Sequence, residues 1–462
     1  MLELVVLAVF CLQLIVFVAA GVAVTVPLSV GFILFYGYGL MRGHDPVALV
    51  RMALSGVSTA RGVIESFVLI GILTALWRAS GTISQVVVMA SPLVTPAAAP
   101  LASFALTSLM SFLMGTAFGT AATMGVVCMT MAHSMGANAL LCGGAVLAGA
   151  YFGDRVSPMS SSSLLVRSIT HTSLGGNFRA MMRSSLVPLV VAAAAYGVLG
   201  VALAPATSGD AGAVSGVLAS YFSQGVVALL PVVPVLVLPL LKVGMKRSMA
   251  ASIALAAIVC VLVRGVAPAE LLQASVFGYV PADPGVARIM SGGGILSMAN
   301  VTAIVCLSSS FAGLFEGTGL LDGVRGHVDA LADTLTPFGA VLAVVVPASM
   351  VACNQTLGTM LAHELCAGVE GSDRELALDL EDSAVVVSPL VPWSAACSAV
   401  ASMCAAPATC WLAAFYLWLI PVWHLAASLA GRRGSRASKV SRGLVRLTLG
   451  AAAQRSPGRL SC

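Results

Sequence analysis

The sequence has 462 residues, of which 59% are hydrophobic and only 9% are charged. An ordinary soluble domain has about 25% charged residues, so this composition excludes a water-soluble globular protein and predicts a chain that lies in membrane lipid. The net charge of +5 is not arranged as a basic stripe with interleaved aromatic residues, which argues against a nucleic-acid partner.

Long apolar runs begin at the N-terminus and recur along the chain. Residues 2–24, 185–204, 225–241 and 249–263 approach or reach the roughly 20 residues that cross a bilayer as a helix. The first run is predicted to be a retained helix rather than a signal peptide, because no Lys or Arg precedes Arg42. We predict an all-α polytopic membrane protein with about 10–12 transmembrane spans.

Basic residues predict the orientation of the chain. Residues 431–462 carry Lys and Arg side chains but no acid, so the positive-inside rule places this tail in the cytoplasm, beneath the inner membrane. Lys242, Lys246 and Arg247 mark another cytoplasmic loop by the same rule. The tail is either a solvated topology anchor or a segment that attracts anionic lipid headgroups.

Two short polar interruptions break the apolar sequence, one in each half. Residues 153–158 read GDRVSP, and residues 381–383 read EDS, followed by Ser388-Pro389. A carboxylate near the bilayer centre costs about 2.5–3.5 kcal/mol, so a chain keeps one there when it faces an ion, a partner or water. Proline disfavours helix before it and frees carbonyl oxygens for a cation. The pattern predicts two broken helices or re-entrant hairpins around a central ion site.

The two interruptions also indicate an internal duplication. Gly81 and Gly319, which both close apolar helices, lie 238 positions apart, and Ser157 and Ser388 lie 231 positions apart. This predicts a first repeat at 1–204, a connector at 205–213, a second repeat at 214–430 and the basic tail at 431–462. Repeats with an odd number of spans would have inverted topology, which brings their broken helices face to face. Chance similarity between glycine-rich helices is the alternative.

Residues 149–155 (GAYFGDR) with Ser157-Pro158 resemble the GAYFGDK-SP signature of the NhaC family of sodium/proton antiporters. The resemblance covers residues 69–393 and implies a cation-coupled antiporter, not an enzyme, with inverted repeats, a homodimeric assembly and no cofactor. Further matches, in the order that the family shows, are Leu76-Trp77, Ser80-Gly81-Thr82, Gly115-Thr116, Gly119-Thr120, Leu380-Glu381-Asp382-Ser383, Ser388-Pro389-Leu390 and Pro392-Trp393.

The sequence departs from this family at two acids. Where the family tends to continue with Ser-Asp-Thr-Thr-Asn after Ser-Pro, this chain has the serine run 160–163, so that Ser161 stands in the place of an acid. Asn354 precedes Gln355 where the family has Asp-Gln. Both changes keep oxygen donors for a hard cation but remove negative charge, which leaves the stoichiometry and the transported species open.

A set of oxygen donors near the two interruptions predicts the cation site. Burial disfavours a charged carboxylate whereas a bound cation favours it, so Na⁺ and H⁺ are expected to compete for one acid, first Asp154 and then Asp382. Thr116, Thr120 and Glu316 are candidates for the ion pathway. The predicted cation and proton ligands are Asp154, Ser157, Ser160, Asn354, Asp382 and Ser388, with Na⁺ itself at Asp154, Ser157, Asp382 and Ser388.

Alternatives remain for these residues and for the function. Asp154 pairing with Arg155 or Arg167 at a membrane surface is one, and Asp382 ending a solvated acidic stretch is another. On the same fold, a transporter that exchanges a small organic anion of malate or lactate type for Na⁺ or H⁺ is the second functional hypothesis. It would call for a committed arginine or positive helix ends at the site. A channel or a nonenzymatic scaffold is the third.

Overall fold

A computed structural model describes residues 2–90, 94–204, 220–222, 225–241, 243–320, 335–367 and 372–430, with Gly216 and Val369 as isolated positions. The described residues are helical, and their only β pairing is one isolated bridge between Tyr279 and Gly292. The prediction of an all-α polytopic membrane protein is confirmed. The predicted connector at 205–213 and the basic tail at 431–462 lie outside the described residues.

The helices of the first half run to residue 202. They are α1 (Leu2–Ala19), α2 (Thr25–Met41), α3 (Pro46–Thr59), α4 (Arg61–Ala79), α5 (Thr82–Ala90), α6 (Ala99–Met114), α7 (Ala117–Thr120), α8 (Val126–Ser134), α9 (Ala139–Val156), α10 (Ser161–Thr170) and α11 (Leu174–Ala202). A π-helical turn, Ala121–Gly125, joins α7 to α8, so that residues 117–134 form one continuous helix.

The described helices of the second half run from residue 232 to residue 430. They are α12 (Val232–Leu240), α13 (Met245–Ile258), α14 (Pro268–Phe277), α15 (Pro284–Met290), α16 (Ala299–Thr318), α17 (Pro337–Ala352), α18 (Gln355–Cys366), α19 (Asp373–Asp382), α20 (Ala384–Val387), α21 (Ala395–Met403) and α22 (Phe415–Ala430).

Four of the described helical segments are long and apolar enough to cross a membrane: Arg61–Ala79, Leu174–Ala202, Met245–Val263 and Ile295–Thr318. A fifth span is formed if the pair Asp373–Leu390 and Ala395–Met403, bent by 57°, is counted as one. Helices α1, α2, α3, α6, α17 and α22 are apolar but shorter. The total of 10–12 spans stays a prediction.

Two of the predicted apolar runs differ from the structure. The run 225–241 is not one span, because a 3₁₀ turn at Gly225–Leu229 is followed by a separate α12, and Pro231 has no N–H to continue a helix across the junction. The run 2–24 ends as helix at Ala19, where Gly21 adopts a positive φ of 73°.

Helix α9 is the centre of the described fold. Every residue from Leu141 to Val156 is buried, so protein surrounds the helix on all sides. Its glycines allow this, because a Cβ on Gly153 would lie 2.1 Å from backbone atoms of Ser111 and Phe112 in α6. Such close backbone approach through small residues is typical of helix packing in membranes. The packing fixes the end of α9, which carries the first polar interruption.

Matching features recur at the 238-residue offset in the two halves. Helices α6 and α17 each have 16 residues. Each is followed by a left-handed residue, Gly115 (φ 66°) or Cys353 (φ 52°), and then by an extended one, Thr116 or Asn354. Beyond this bend the first half continues helically to residue 134, whereas α18 ends at residue 366. The duplication, its bounds and its inverted topology stay predictions.

Gly153→Ala tests the close packing of α9 against α6. We expect a loss of unfolding free energy of about 1–3 kcal/mol or more, because the backbone of α6 must move to admit the methyl group. The measurement is thermal unfolding of the purified protein in detergent. Gly197→Ala is the matched control, since its Cβ would meet only Leu101 at an ordinary 3.7 Å. Equal stability of the two variants would contradict the packing described above.

Candidate functional site

Asp154 lies in the last turn of α9, just before the predicted break. The helix ends at Val156, Ser157 is extended (φ −65°, ψ 133°), and α10 starts at Ser161. Ser160 is the N-cap of α10, and its hydroxyl accepts from the N–H groups of Ser162 and Ser163 at 3.1 and 3.3 Å. The serine run therefore starts a new helix directly beside Asp154, because serine oxygens satisfy the free N–H groups of a helix start.

The Asp154 carboxylate is 3% exposed and is held by neutral donors. The Ser162 hydroxyl donates to Oδ2 at 2.6 Å, and the Ser160 hydroxyl lies 3.4 Å from Oδ1 and also donates to the Asp154 carbonyl. Asp154 forms no ion pair with a described residue, so the predicted alternative of pairing with Arg155 or Arg167 is not what the structure contains.

Gln355 joins the broken helices of the two halves. It is the first residue of α18, after the bend at Cys353 and Asn354. Its Nε2 donates to Asp154 Oδ2 at 3.2 Å and to the carbonyl oxygen of Val385 at 3.3 Å. Val385 belongs to α20, within the second interruption. The two polar interruptions, which are more than 200 residues apart in sequence, therefore meet at one side chain.

A cavity of about 960 Å³ reaches Asp154. The first residues of α7, α10, α13 and α18 line it, so the positive ends of four helices point to one space. Helix N-termini favour negative charge. They stabilise a carboxylate at Asp154 without supplying a full positive charge. The other polar residues of the lining include Thr116, Ser162, Thr356, Lys246 and Arg247.

Arg155, the neighbour of Asp154, points away from this cavity and is fully buried. All five of its N–H donors are used. The acceptors are the carbonyl of Glu381, the hydroxyls of Ser184, Ser185 and Tyr416, and the carboxylate of Asp382. Arg155 therefore ties α9 to α11, α19 and α22, and has no N–H group left for a substrate.

Asp382 is the anionic partner of Arg155 and lies outside the cavity lining. Its other oxygen is 2.8 Å from Nδ1 of His424, and the opposite ring nitrogen of His424 lies 3.5 Å from Asp379. Asp382 is 0% exposed, so it is not the end of a solvated acidic stretch. The structure thus separates Asp382 from Asp154, the other acid that the sequence predicts to compete for Na⁺ and H⁺.

The remaining predicted ligands form hydrogen bonds with groups other than the Asp154 carboxylate. Ser388 is buried, and its hydroxyl lies 3.3 Å from that of Ser349. Ser157 is buried and accepts from the Met159 N–H at 3.3 Å. Asn354 caps α18 by accepting from Thr356 N–H.

The predicted pathway residues are also placed differently. Thr116 lines the cavity, whereas Thr120 donates to the Thr116 carbonyl within its own helix. Glu316 is exposed and does not line the cavity. Of the three, only Thr116 thus has access to the space that reaches Asp154.

Sequence reasoning missed three residues. Gln355 and Ser162 contact Asp154, and their signal was available, since the first follows Asn354 in a family motif and the second belongs to the serine run. Glu381 is fully buried beside Asp382. Its sequence position next to another acid gave no sign that the two carboxylates have different surroundings.

A profile of the Na⁺/H⁺ antiporter family matches residues 149–431, more than half of the chain. Curated relatives with low identity align over most of their length. One is the Na⁺/H⁺ antiporter NhaC of Alkalihalophilus pseudofirmus (24% identity; 76% of this chain, 78% of the relative). Another is the malate-2H⁺/Na⁺-lactate antiporter of Bacillus subtilis (26%; 77% and 78%). A third is the arginine/ornithine antiporter ArcD of Halobacterium salinarum (26%; 84% and 82%).

Asp382→Asn tests the role of Asp382 as the partner of Arg155. We expect a loss of about 3–5 kcal/mol of unfolding free energy, because a buried cation is left unpaired. The double variant Arg155→Met/Asp382→Leu, which removes both charges, is expected to recover much of this loss. Thermal unfolding in detergent measures both. Glu65→Gln, in an exposed ion pair with Lys246, is the control and should change stability little. A stable Asp382→Asn protein that no longer responds to Na⁺ would instead favour a ligand role.

Proposed function

The chain belongs to the Na⁺/H⁺ antiporter family, and on this premise we propose that it is a secondary active transporter that exchanges Na⁺ for H⁺ at Asp154. The observation that carries the proposal is the setting of Asp154. It is a buried carboxylate on a cavity, held by donors from both halves of the chain, with no ion pair to a described residue.

Competition for a single negative charge supplies the coupling. A buried carboxylate without a compensating charge is unfavourable by several kcal/mol, so Asp154 needs one positive charge when the site closes. A proton or a sodium ion meets this need, and each excludes the other. Hydroxyl oxygens of Ser160 and Ser162 suit Na⁺, which prefers hard oxygen ligands. If only loaded sites cross, the result is antiport.

The ligand set that we propose is narrower than the sequence-based one. Asp154, Ser160 and Ser162 form its centre, with Gln355 as the link to α20. Ser157 and Ser388 belong to the two breaks, where they contact the Met159 N–H and the Ser349 hydroxyl, and they are not part of this set. Asp382 is left out because Arg155 holds it.

The cavity suggests which side of the membrane Asp154 faces in this conformation. Lys246 and Arg247 lie on the cavity lining, and by the positive-inside rule they belong to the cytoplasmic side. We therefore propose an inward-facing state of an inner-membrane protein whose C-terminal tail is cytoplasmic. A homodimer and inverted repeats are further parts of this proposal, which rest on the resemblance to the family.

Exchange of a small organic anion is the second candidate. One observation favours it: the cavity of about 960 Å³ is much larger than Na⁺ requires, and Lys246, Arg247 and four helix N-termini line it. The relative that is named a malate-2H⁺/Na⁺-lactate antiporter is compatible with it. Against it stands Arg155, whose N–H groups are all engaged with the protein.

Asp154→Asn is expected to abolish coupled exchange, because the amide cannot alternate between a proton and Na⁺. The purified protein is reconstituted into liposomes, an inward Na⁺ gradient is imposed, and internal pH is followed. Asp283→Asn is the matched control, since Asp283 is an N-cap that asparagine replaces well. It should exchange like the wild type. Full exchange by a folded Asp154→Asn protein would show that another acid carries the coupling.

The same liposomes separate the two candidates. For Na⁺/H⁺ antiport, we expect the Na⁺ gradient to change the internal pH at the same rate with and without malate or lactate inside. A pH change that requires the internal anion would support the organic-anion exchanger instead. No Na⁺-dependent pH change under any of these conditions would contradict the proposed antiport.

A further inference from the structure

Glu381 is a buried carboxyl group that the exchange at Asp154 does not use. It is 0% exposed, at the end of α19 just before the helix breaks at Ser383 (φ −124°, ψ −77°). Neither of its carboxyl oxygens has a hydrogen-bond partner among the described residues. The hydroxyl of Ser163, on α10, also lacks a hydrogen-bond partner among the described residues, and α10 packs against α19. Two packed helices, α10 and α19, therefore each contain a buried oxygen group without a hydrogen-bond partner.

The charges around Glu381 are matched without it. Arg155, Asp382 and Asp154 are the charged groups that act on Glu381. The charge of Arg155 is balanced by Asp382, and its donor to Glu381 reaches the main-chain carbonyl and not the side chain. His424 faces Asp379 and Asp382. An ionised Glu381 is thus left with no cation of its own.

A buried carboxylate with neither a hydrogen bond nor a countercharge is among the most unfavourable groups in a protein interior. Arg155 cannot relieve it, because its five N–H groups are engaged. A positive charge from outside the protein relieves it directly. Oxygens of Glu381 and Ser163 are suitable first ligands for such a charge.

We propose that Glu381, with Ser163, is a second cation site of the transport cycle, which takes a sodium ion or a proton in addition to the one at Asp154. The proposal rests on the proposed antiport function. In this proposal the second polar interruption contains a carboxyl group, that of Glu381, which binds a transported cation. Its neighbour Asp382 forms the ion pair with Arg155. The two adjacent acids of α19 thus have different roles.

Glu381→Gln in the full-length protein tests this site, with Glu375→Gln as the matched control. Glu375 is an exposed glutamate on the same helix. Both variants are reconstituted with Asp154 intact, and Na⁺-driven pH changes are recorded with and without a potassium/valinomycin membrane potential. We expect Glu375→Gln to behave as the wild type and Glu381→Gln to move one cation fewer in at least one half of the cycle.

The experiment distinguishes the two cations. If Glu381 takes a proton only in the half-cycle that moves H⁺, the wild type exchanges two protons for one Na⁺. Its exchange then responds to the membrane potential, and the response is lost in Glu381→Gln. If it carries Na⁺, the Hill coefficient for Na⁺ falls from about 2 in the wild type to about 1 in the variant, because the number of sites limits it. A variant with the potential response and Hill coefficient of the wild type would overturn the second site.

Ligand-dependent stability gives a readout that does not need transport. A ligand that binds only the folded protein raises its unfolding temperature. We expect NaCl, compared with KCl, or a lower pH to stabilise the wild type more than Glu381→Gln. If that variant does not fold, Ser163→Ala is measured, and it should need severalfold more of the cation for half of the stabilisation. Equal responses in the wild type and the variant measured would contradict the proposal.

Failure of this site and failure of the antiport function give different experimental results. A wild-type protein without Na⁺-driven pH change contradicts the proposed function as a whole. Wild-type exchange that is unaffected by Glu381→Gln contradicts the second site alone, and Asp154 then remains the single site of exchange.

Discussion

Charge inside a medium of low polarity is the constraint on which this structure depends. Moving a carboxylate or a guanidinium out of water is unfavourable by several kcal/mol unless a partner compensates it. Helix α9 carries one of each, Asp154 and Arg155, in a segment that protein encloses on all sides. The two neighbours meet the constraint differently. Arg155 is compensated within the protein by Asp382, while Asp154 forms no ion pair with a described residue.

The geometry of a helix makes this division of roles possible. Successive residues of an α-helix point in directions about 100° apart, since a turn has 3.6 residues. Asp154 therefore faces the cavity and Gln355, while Arg155 faces α11, α19 and α22. The glycine contact at Gly153 holds the end of α9 against α6 and keeps both directions fixed. Backbone packing thus decides which of the two charges meets solvent.

Much of this arrangement could be predicted from the sequence, because it depends on local chemistry. Composition indicated a helical membrane protein, and Ser157-Pro158 indicated the break that the structure contains after Val156. The pairing of Arg155 with Asp382 could not be predicted, since it joins residues 227 positions apart and no local pattern specifies it. The same holds for Gln355, whose role depends on the position of α20. The prediction of one span at 225–241 was wrong, because hydropathy does not register that Pro231 has no N–H to continue a helix.

The helices that follow the two bends have unequal lengths, which has a consequence for transport in the two directions across the membrane. After its bend, the first half stays helical to residue 134, whereas α18 ends at residue 366. If the two halves exchange conformations during the cycle, the two resulting states are not related to each other by symmetry. The energy profile for an ion that enters from one side of the membrane then differs from the profile for an ion that enters from the other side. In such a carrier the Na⁺ concentration that gives half-maximal exchange differs between the two sides of the membrane. The final distribution of the ions is still set by the gradients alone.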